Sequence, residues 1–531
     1  MQAVSNAWKA NQRRTIVSEG FVEVLVDIGD PAAIADVSSQ DNGSAYISNT
    51  QQVVSEGDKN IAPYSTLEQN MWVLNDSRKI LPTDDYGDCG YIGDALSNEY
   101  CAFVGKTPIL TLNFTRVHNN LIPAITITWS KTYGEYATDF TVRAYNGTSL
   151  VAEKEVVGNK STQTIVEMDI VGYDRITISI LKWCLPRHRA RIEEVFVGLQ
   201  KVYSKSDLFG YTHSQTVDPV STSLPKAEVS FAVDNTKDTY NPDNTDGLAK
   251  YFMERQLVKT RYGYKMNDNS IEWIKGGVFY LSEWSATQNG REANFTARDI
   301  LEYLTQRYVD SVTSVTERSL YDLAETILMS ADLPLNPDGS VKWKLDDSLK
   351  NIRTTAPLPD DTMANCLLLI ANAGRCVFYQ DRSGILHIEP LTGDVVDCSI
   401  TTSNSYTLPE ITIGKPIEGI SVKVYQYALC ERGFESTTTE QYITVGGKGE
   451  RVEVDNPLVT DVTVATAILE WMRDYLANRM TVDTSWRADV RLDALDKVKV
   501  GNRYGESDVI VTDVEYSFGG TFRGATKGRR V

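Results

Sequence analysis

The sequence contains few of the residues and motifs that enzymes use. Only four histidines, His118, His188, His213 and His387, occur in 531 residues. No H-E-x-x-H or H-x-x-x-H spacing is present, so a zinc peptidase is not expected. No G-x-S-x-G motif presents a nucleophile, which argues against a Ser–His–Asp hydrolase. The sequence therefore predicts no catalytic residue and no metal ligand, and it favours a protein that is not an enzyme.

Cofactor-binding signatures are also missing. Neither G-x-x-x-x-G-K-[ST] nor G-x-G-x-x-G occurs. The Asp- and Asn-rich stretch 234–246 offers oxygen ligands for Ca²⁺, but an EF-hand loop that starts at Asp243 needs glycine where Leu248 stands. Turn formation explains this composition better. We therefore expect no bound cofactor.

Cysteines and long apolar runs are sparse. Seven cysteines without a C-x-x-C motif indicate neither a disulfide framework nor a zinc site, although Cys89 and Cys101 can pair under oxidising conditions. No apolar run suits a signal peptide or a membrane-spanning helix. The sequence predicts cytoplasmic synthesis and no membrane segment.

The chain carries fewer positive than negative charges, with a net charge of −18. Phosphate contacts need clustered Lys and Arg, so binding of the outer surface to nucleic acid or to an anionic membrane is not expected. The length exceeds what one core supports and predicts three or four domains.

What the chain does have is a succession of short β runs. Their even spacing over residues 60–202, without helical periods between them, predicts a β-sandwich of the jelly-roll kind. The runs are 109–115, 124–130, 139–145, 149–156, 164–170, 175–181 and 191–198. Asn146-Gly147 predicts a hairpin turn with both residues at positive φ.

Further strands and three amphipathic helices are predicted outside this region. The strands are 21–28, 227–235, 276–288, 293–299, 376–381, 385–391, 419–429, 497–501 and 507–520, and the helices are 319–331, 360–375 and 461–480. Ser314 with Glu317 offers a capping box for the first helix. Asp360 or Asp361 can cap the second, and Gly374 suits its C′ position.

Aromatic residues are the remaining candidates for binding a partner at the surface. Five rings in the predicted sandwich can stack on sugar rings or on a protein partner: Trp72, Trp129, Tyr133, Tyr136 and Trp183. Core packing is the alternative for each of them. Tyr133 and Tyr136, in a loop between two strands, are expected to be the most exposed.

Two parts of the chain resemble known families. The segments AEVSFAVDNTKDTYNPDNTDGLAKYFMERQLVKTRYGY, DDTMANCLLLIANAGRCVFYQDRSGILHIEPL and VIVTDVEYSFGGTFRGATKGRR are similar to hub proteins of bacteriophage tail tips and baseplates. Within the sandwich, YSTLEQNMWVLND and RITISILKWCLPRHRARIEEVFVG resemble a discoidin-like, galactose-binding-like module. The usual loop ligands of that module are not matched.

The hub resemblance implies a virion protein that forms a homotrimer. Its ring would join a hexameric tail tube or distal tail protein to a central spike or fibre. The tape measure protein would be a further partner, and DNA would only pass through the lumen. The sandwich would contact other baseplate proteins or a host surface glycan.

The expected fold is mostly β with α+β elements. It comprises a first hub barrel (1–36 and 216–305), an inserted jelly-roll sandwich (37–215), a helical connector (306–375) and a second α+β or barrel domain (376–531). Two other functions stay open at this point. They are a secreted or surface glycan-binding adhesin and a tail-associated peptidoglycan hydrolase.

Overall fold

Strands make up 49% of the chain and helices 13%, so the predicted mostly-β class with α+β elements is confirmed. The computed structural model describes residues 1–14, 16–41, 44–48, 53, 64–72, 75, 89–204, 207–287, 290–310, 314–336, 340–392, 395–430 and 433–531. No helix in these ranges is long and apolar enough to cross a membrane.

The first half of the chain consists almost entirely of strands. They are β1 Gly20–Gly29, β2 Val37–Asp41, β3 Tyr46–Ile47, β4 Tyr91–Leu96, β5 Ile109–His118, β6 Ile122–Thr128, β7 Ala137–Asn146, β8 Ser149–Val156, β9 Gln163–Ile170, β10 Tyr173–Trp183, β11 Arg189–Ile192, β12 Glu194–Phe196, β13 Gly198–Tyr203, β14 Leu208–Thr216, β15 Lys226–Asp234, β16 Leu257–Lys265, β17 Ile271–Ala286 and β18 Glu292–Arg298. Two short helices, α1 Asn6–Gln12 and α2 Pro31–Asp36, flank β1.

The second half mixes helices with strands. Its strands are β19 Arg307–Tyr308, β20 Arg318–Ser319, β21 Trp343–Leu345, β22 Arg353–Thr354, β23 Asp361–Thr362, β24 Val377–Gln380, β25 Leu386–Glu389, β26 Val395–Ile400, β27 Glu410–Ile413, β28 Ile417–Cys430, β29 Gly433–Thr444, β30 Glu450–Val454, β31 Met480–Trp486, β32 Lys497–Asn502, β33 Gly505–Phe518 and β34 Phe522–Arg530. Its helices are α3 Leu320–Ser330, α4 Met363–Ala373 and α5 Val462–Leu476.

One sheet of thirteen strands joins the two regions that were expected to form separate barrels. Its order is β13-β1-β16-β17-β18-β15-β14-β33-β34-β31-β27, with β32 on β33 and β26 on β32. The joint is the antiparallel pairing of β14 with β33, from Tyr211↔Phe518 to Thr216↔Asp513. Among the described strands the two ends of this sheet do not meet, and no closed barrel is formed.

A single apolar core lies against this large sheet. It includes Phe231 and Tyr262 from the first half together with Val482 and Tyr516 from the second half. β13 and β14, which fall inside the predicted insert, also pair within this sheet. The division into domains stays a prediction. Hydrogen bonds between strands of the large sheet join residues on the two sides of its boundaries at 215 and 305.

The sandwich is formed by a five-stranded sheet and two three-stranded sheets. Their orders are β2-β5-β10-β7-β8, β12-β6-β9 and β11-β4-β3. Alternating residues of β5 and β10 point into a core that contains Trp129, Phe140 and Trp183. Every residue of β6 is buried, because β6 also packs against β1 and β13 of the large sheet. The insert therefore sits directly on the large sheet.

The hairpin at Asn146 forms, but with a different turn from the predicted one. Asn146 pairs with Ser149, so the two turn residues are Gly147 and Thr148. Only Gly147 has a positive φ, at 57°. Glycine at the first central position is the pattern of a type II′ turn, which needs one positive φ and not two.

The second core combines all three longer helices with two small sheets. α3, α4 and α5 pack with β21-β25-β24 and β29-β28-β30. Leu323, Leu367 and Ile468 represent the three helices in this core. The predicted connector helices therefore share a core with β28 and α5, which were expected in the last domain.

The helix caps differ from those predicted. Ser319, not Ser314, caps α3 by accepting a hydrogen bond from the Asp322 amide, and Thr362 caps α4. Gly374 has a φ of −78°, so the positive φ lies on Arg375 instead. A Cβ at Gly374 would come within 2.3 Å of Leu349, and this close approach explains the glycine.

Candidate functional site

Three loops meet at one end of the sandwich. They are residues 64–72, the β4–β5 loop 97–108 and the β10–β11 loop 184–188. Ser97 ties the last two together, because its amide donates to the His188 carbonyl at 2.9 Å and its hydroxyl donates to the Leu185 carbonyl at 2.8 Å. The His188 ring reaches the Gln69 carbonyl in the first loop.

A buried ionic cluster holds these loops on the sandwich. Arg191 on β11 pairs with Glu68 in the 64–72 loop and with Glu135, at 3.7 Å from the latter. Glu135 also accepts hydrogen bonds from the indole N–H of Trp183 at 2.7 Å and from His188 Nδ1 at 2.9 Å. Because buried charges are stable only when paired, each of these groups needs the others.

The geometry favours the cationic form of His188. Its Nδ1 lies 2.9 Å from a Glu135 carboxylate oxygen and its Nε2 lies 2.5 Å from the Gln69 carbonyl oxygen. Both partners only accept, and a neutral imidazole can donate through one nitrogen alone. Burial opposes the charge, but the hydrogen bonds and the negative charge of Glu135 raise the pKa of His188.

The same contacts act on Glu135. Burial opposes its ionisation, but the hydrogen bonds from His188 and Trp183 and the charge of Arg191 outweigh it and lower the Glu135 pKa. An imidazolium, a guanidinium and two carboxylates therefore balance one another at this end of the sandwich.

The space enclosed beside this cluster is small. The cavity measures about 20 Å³ and is lined by Tyr64, Thr66, Cys89, Ile92, Ser130, Tyr133, Arg191 and Glu193. That volume holds roughly one water molecule. A ligand that binds here must therefore lie on the surface of the loops and not in a preformed pocket.

The five predicted contact residues have separate locations. Trp129 and Trp183 are fully buried in the sandwich core, so they offer no surface. Tyr133 is half-buried, donates a hydrogen bond to the Tyr64 carbonyl and lies 5.1 Å from the Arg191 guanidinium. Tyr136 is also half-buried and packs on the core. Trp72 is 52% exposed.

The structure also exposes apolar residues on the same three loops that the sequence reasoning missed. They are Leu67, Tyr100, Val104 and Leu185, and Tyr100 is 83% exposed. The sequence prediction of contact residues named aromatic side chains alone. The exposure of Tyr100 could have been predicted, because the stretch SNEYCAFVGK has the composition of a loop between two strands.

A second and larger cavity, of about 320 Å³, lies where the second core meets the large sheet. The carboxylates that line this cavity already have ion-pair or hydrogen-bond partners. Asp493 pairs with Arg382, Glu389 accepts from Tyr379 and Lys344, and Asp381 faces His387. Arg382 also donates to the carbonyls of Lys275 and Leu492, so this junction is held by a buried cation that bridges both units.

All four histidines lie among the described residues, and each of them has a partner within the fold. The histidine rings face carboxylates or a tyrosine: His118 with Asp30 and Asp36, His188 with Glu135, His213 with Tyr262, and His387 with Asp381 and Glu389. Burial lowers the pKa of His213 to about 3. No group of His, Cys, Asp and Glu in the described ranges is placed to hold a metal ion. Cys89 and Cys101 are both free thiols.

No family model matches the chain, and no curated protein matches it. Solved structures do show similarity. A 43 kDa tail protein of prophage MuSo2 from Shewanella oneidensis has a TM-score of 0.41 and 11% identity, over 62% of this chain and 94% of that one. A tail protein from Neisseria meningitidis MC58 has a TM-score of 0.41 and 10% identity, over 62% and 93%.

A prophage tail protein gp18 from Listeria monocytogenes EGD-e has a TM-score of 0.40 and 11% identity, over 63% of this chain and 91% of that one. All three of these solved structures are described as tail proteins. A discoidin-like module is not among these findings.

Proposed function

We propose that the protein is a structural hub of a phage or phage-like tail tip or baseplate, located in the virion. Three copies form a ring that joins a sixfold tail tube or distal tail protein to a central spike or fibre. The tape measure protein and DNA pass through its lumen, which does not bind DNA.

The observation that supports this proposal most is the large sheet. Two of the three segments that resemble hub proteins, around β15–β18 and around β33–β34, are hydrogen bonded through β14 and share one core. A subunit built this way keeps its two halves at a set distance and angle. Three such subunits present six regularly spaced surfaces, which suits a sixfold partner.

A role without catalysis fits the buried chemistry. The histidines, which hydrolases most often use, are held inside the fold by carboxylates or a tyrosine. We therefore propose that the protein is not an enzyme. Clearing of a peptidoglycan zymogram by the purified protein would contradict this assignment and favour a tail hydrolase.

The sandwich is proposed as a peripheral contact module. Its exposed end, with Trp72 and Tyr100, suits another baseplate protein or a surface glycan. Specific hits on a glycan array that Trp72→Ala removes would support the glycan and strengthen the adhesin alternative. Retention of those hits by the variant would place the contact elsewhere.

The hub proposal is tested by the mass and symmetry of the purified chain. Light scattering should give three times the 59.2 kDa of one chain. Negative-stain class averages should show threefold rings with three peripheral lobes. A monomer at every concentration tested, or rings of another order, would contradict the proposal.

A further inference from the structure

One loop at the end of the sandwich forms a tight turn against His188. In the 64–72 loop the Met71 amide donates to the Glu68 carbonyl at 3.2 Å, which closes a β-turn over residues 68–71. Gln69 occupies the first central position of this turn, and its carbonyl oxygen lies 2.5 Å from Nε2 of His188. This contact therefore joins the turn to the β10–β11 loop through an imidazole ring.

The turn has a second polar anchor, which does not titrate near neutral pH. The Glu68 carboxylate forms an ion pair with Arg191 on β11 and accepts a hydrogen bond from the Arg189 amide at 2.8 Å. A guanidinium stays protonated at all ordinary pH values, whereas imidazole changes its charge near neutral pH. A change of pH in this range therefore acts on the Gln69 contact with His188 and leaves the second anchor in place.

Charged groups from several elements surround the His188 ring. Glu135 lies 2.9 Å from its Nδ1 and 3.7 Å from Arg191, and the Glu68 carboxylate adds negative charge to the same cluster. The Cys184 thiol follows Trp183 on the same loop as His188, and burial raises its pKa. Burial opposes a charge on His188, but the hydrogen bond to Glu135 and the negative charge of that carboxylate raise the pKa of the ring. Two carboxylates beside one guanidinium therefore favour the imidazolium.

Loss of the proton affects the two ring nitrogens differently. A neutral imidazole keeps one N–H group, and a hydrogen bond to an ionised acceptor is roughly twice as strong as one to a neutral acceptor. The remaining proton therefore stays on Nδ1, which faces the Glu135 carboxylate. Nε2 then turns a lone pair toward the Gln69 carbonyl oxygen, and the two repel each other. Deprotonation thus breaks the contact of His188 with the loop and keeps its contact with the sandwich.

We propose that the contact between His188 and Gln69 is a pH-dependent latch on the 64–72 loop. The cationic ring holds the turn against the sandwich, and the neutral ring releases the tip of the turn. Met71 is buried, at 2% exposure, so the loop stays attached while its tip moves. Leu67 and Trp72 of this loop are exposed, so the latch decides how firmly the proposed contact surface is held. This inference rests on the proposed contact role of the sandwich and adds a regulation of that surface.

Hydrogen exchange measured by mass spectrometry tests the latch. Peptides that cover residues 64–72 should have a protection factor roughly fivefold lower at about pH 9 than at about pH 6, because that factor corresponds to one net hydrogen bond. The protection factor already corrects for the intrinsic dependence of exchange on pH. Peptides from β7, which lies in the sandwich core, are the internal reference and should keep their protection.

Two substitutions of histidine identify the group that titrates. His188→Gln carries no charge at either pH, so the 64–72 peptides should show the same low protection at both pH values. His213→Gln is the matched control. Burial keeps the pKa of His213 at about 3, so this variant should retain the full pH dependence of the 64–72 peptides.

A third variant moves the titration without removing the ring. Glu135→Gln keeps the size of the side chain and removes the negative charge that faces Nδ1 of His188. The pH at which protection of the 64–72 peptides falls should therefore shift to a lower value. A residue with only a packing role would leave that midpoint where it is, so an unshifted midpoint would contradict the latch.

The outcomes separate the latch from the contact role of the sandwich. Equal protection of the 64–72 peptides at both pH values in the unchanged chain would overturn the latch, and so would a pH dependence that survives in His188→Gln. Glycan-array hits that require Trp72, together with protection that does not change with pH, would keep the contact role alone. Protection that titrates in a chain without specific hits would keep the latch and count against the glycan contact.

Discussion

At the scale of single residues, the most informative group is His188. Its two ring nitrogens contact acceptors on two different chain segments, Glu135 at 2.9 Å and the Gln69 carbonyl at 2.5 Å. The charge on this ring therefore helps to hold the 64–72 loop, which carries Trp72, against the sandwich. Motif searching could not find this role, because Glu135 and Gln69 are far from His188 in sequence.

The contribution of His188 should depend on pH. Its folded pKa is raised, so the stability it contributes is fully present below the unfolded value of about 6.5 and is lost as pH rises through the folded value. Arg191 stays charged throughout, and its lowered pKa keeps Glu135 ionised in this range. We expect His188→Gln to lower the free energy of unfolding, measured with urea, more at about pH 6 than at about pH 9, by about 1–3 kcal/mol at the lower pH.

His213→Gln is the control for this titration. Burial keeps the pKa of His213 at about 3, so that ring is neutral at both pH values. The effect of His213→Gln on stability should be the same at each pH. An equal loss at both pH values for His188→Gln would show that His188 is neutral in the fold.

Removal of Arg191 should be costly. Arg191→Met leaves the carboxylates of Glu68 and Glu135 without a cationic partner on β11, and we expect a loss of about 3–5 kcal/mol in unfolding free energy. Arg143→Met is the control, because Arg143 and Glu153 form an exposed pair worth at most about 1 kcal/mol. Similar losses in the two variants, measured by urea unfolding, would contradict the buried pairing.

At the scale of elements, alternation and helical periodicity placed most strands and all three longer helices. Their exact ends depended on local hydrogen bonding. Both Ser314 and Ser319 precede α3, and only Ser319 lies at the point where β20 ends against β22 and the chain turns into the helix. Similarly, local sequence composition does not distinguish a tryptophan that is buried on a strand from one that is exposed in a loop.

The tryptophans of the sandwich provide the test at this scale. Trp129→Ala should lower the unfolding free energy by about 3–5 kcal/mol, because the ring is fully buried against Phe140 and Trp183. Trp72→Ala should change it by less than about 0.5 kcal/mol, since that ring is half exposed. Thermal unfolding of both variants measures the difference, and a large loss for Trp72→Ala would place that ring in the core.

At the scale of the whole molecule, buried polar contacts join the second core to the large sheet. The β24–β25 turn inserts Arg382 between the units, where it pairs with Asp493 and donates to two backbone carbonyls of the large-sheet unit. Gln380 adds a hydrogen bond to the Val278 carbonyl of β17. These contacts set the orientation of the helical unit on the large sheet.

Loss of Arg382 should uncouple the two units. Arg382→Met leaves Asp493 and the carbonyls of Lys275 and Leu492 without their donor, so calorimetry should resolve two transitions where the unchanged chain shows a more cooperative one. Arg307→Met, which removes only an exposed pair with Asp360, should leave the profile unchanged. A single unshifted transition in Arg382→Met would show that other contacts carry the coupling.

The sequence alone determined the mostly-β class, the positions of the strands and long helices, and the lack of catalytic motifs. These properties follow from the local alternation of apolar and polar residues and from residue types at short spacings. Tertiary structure decided which strands share a sheet, so β14 and β33 join two regions that were expected to be separate barrels. It also decided which aromatic rings reach the surface and which edges stay unpaired, because pairing between residues hundreds of positions apart leaves no local pattern.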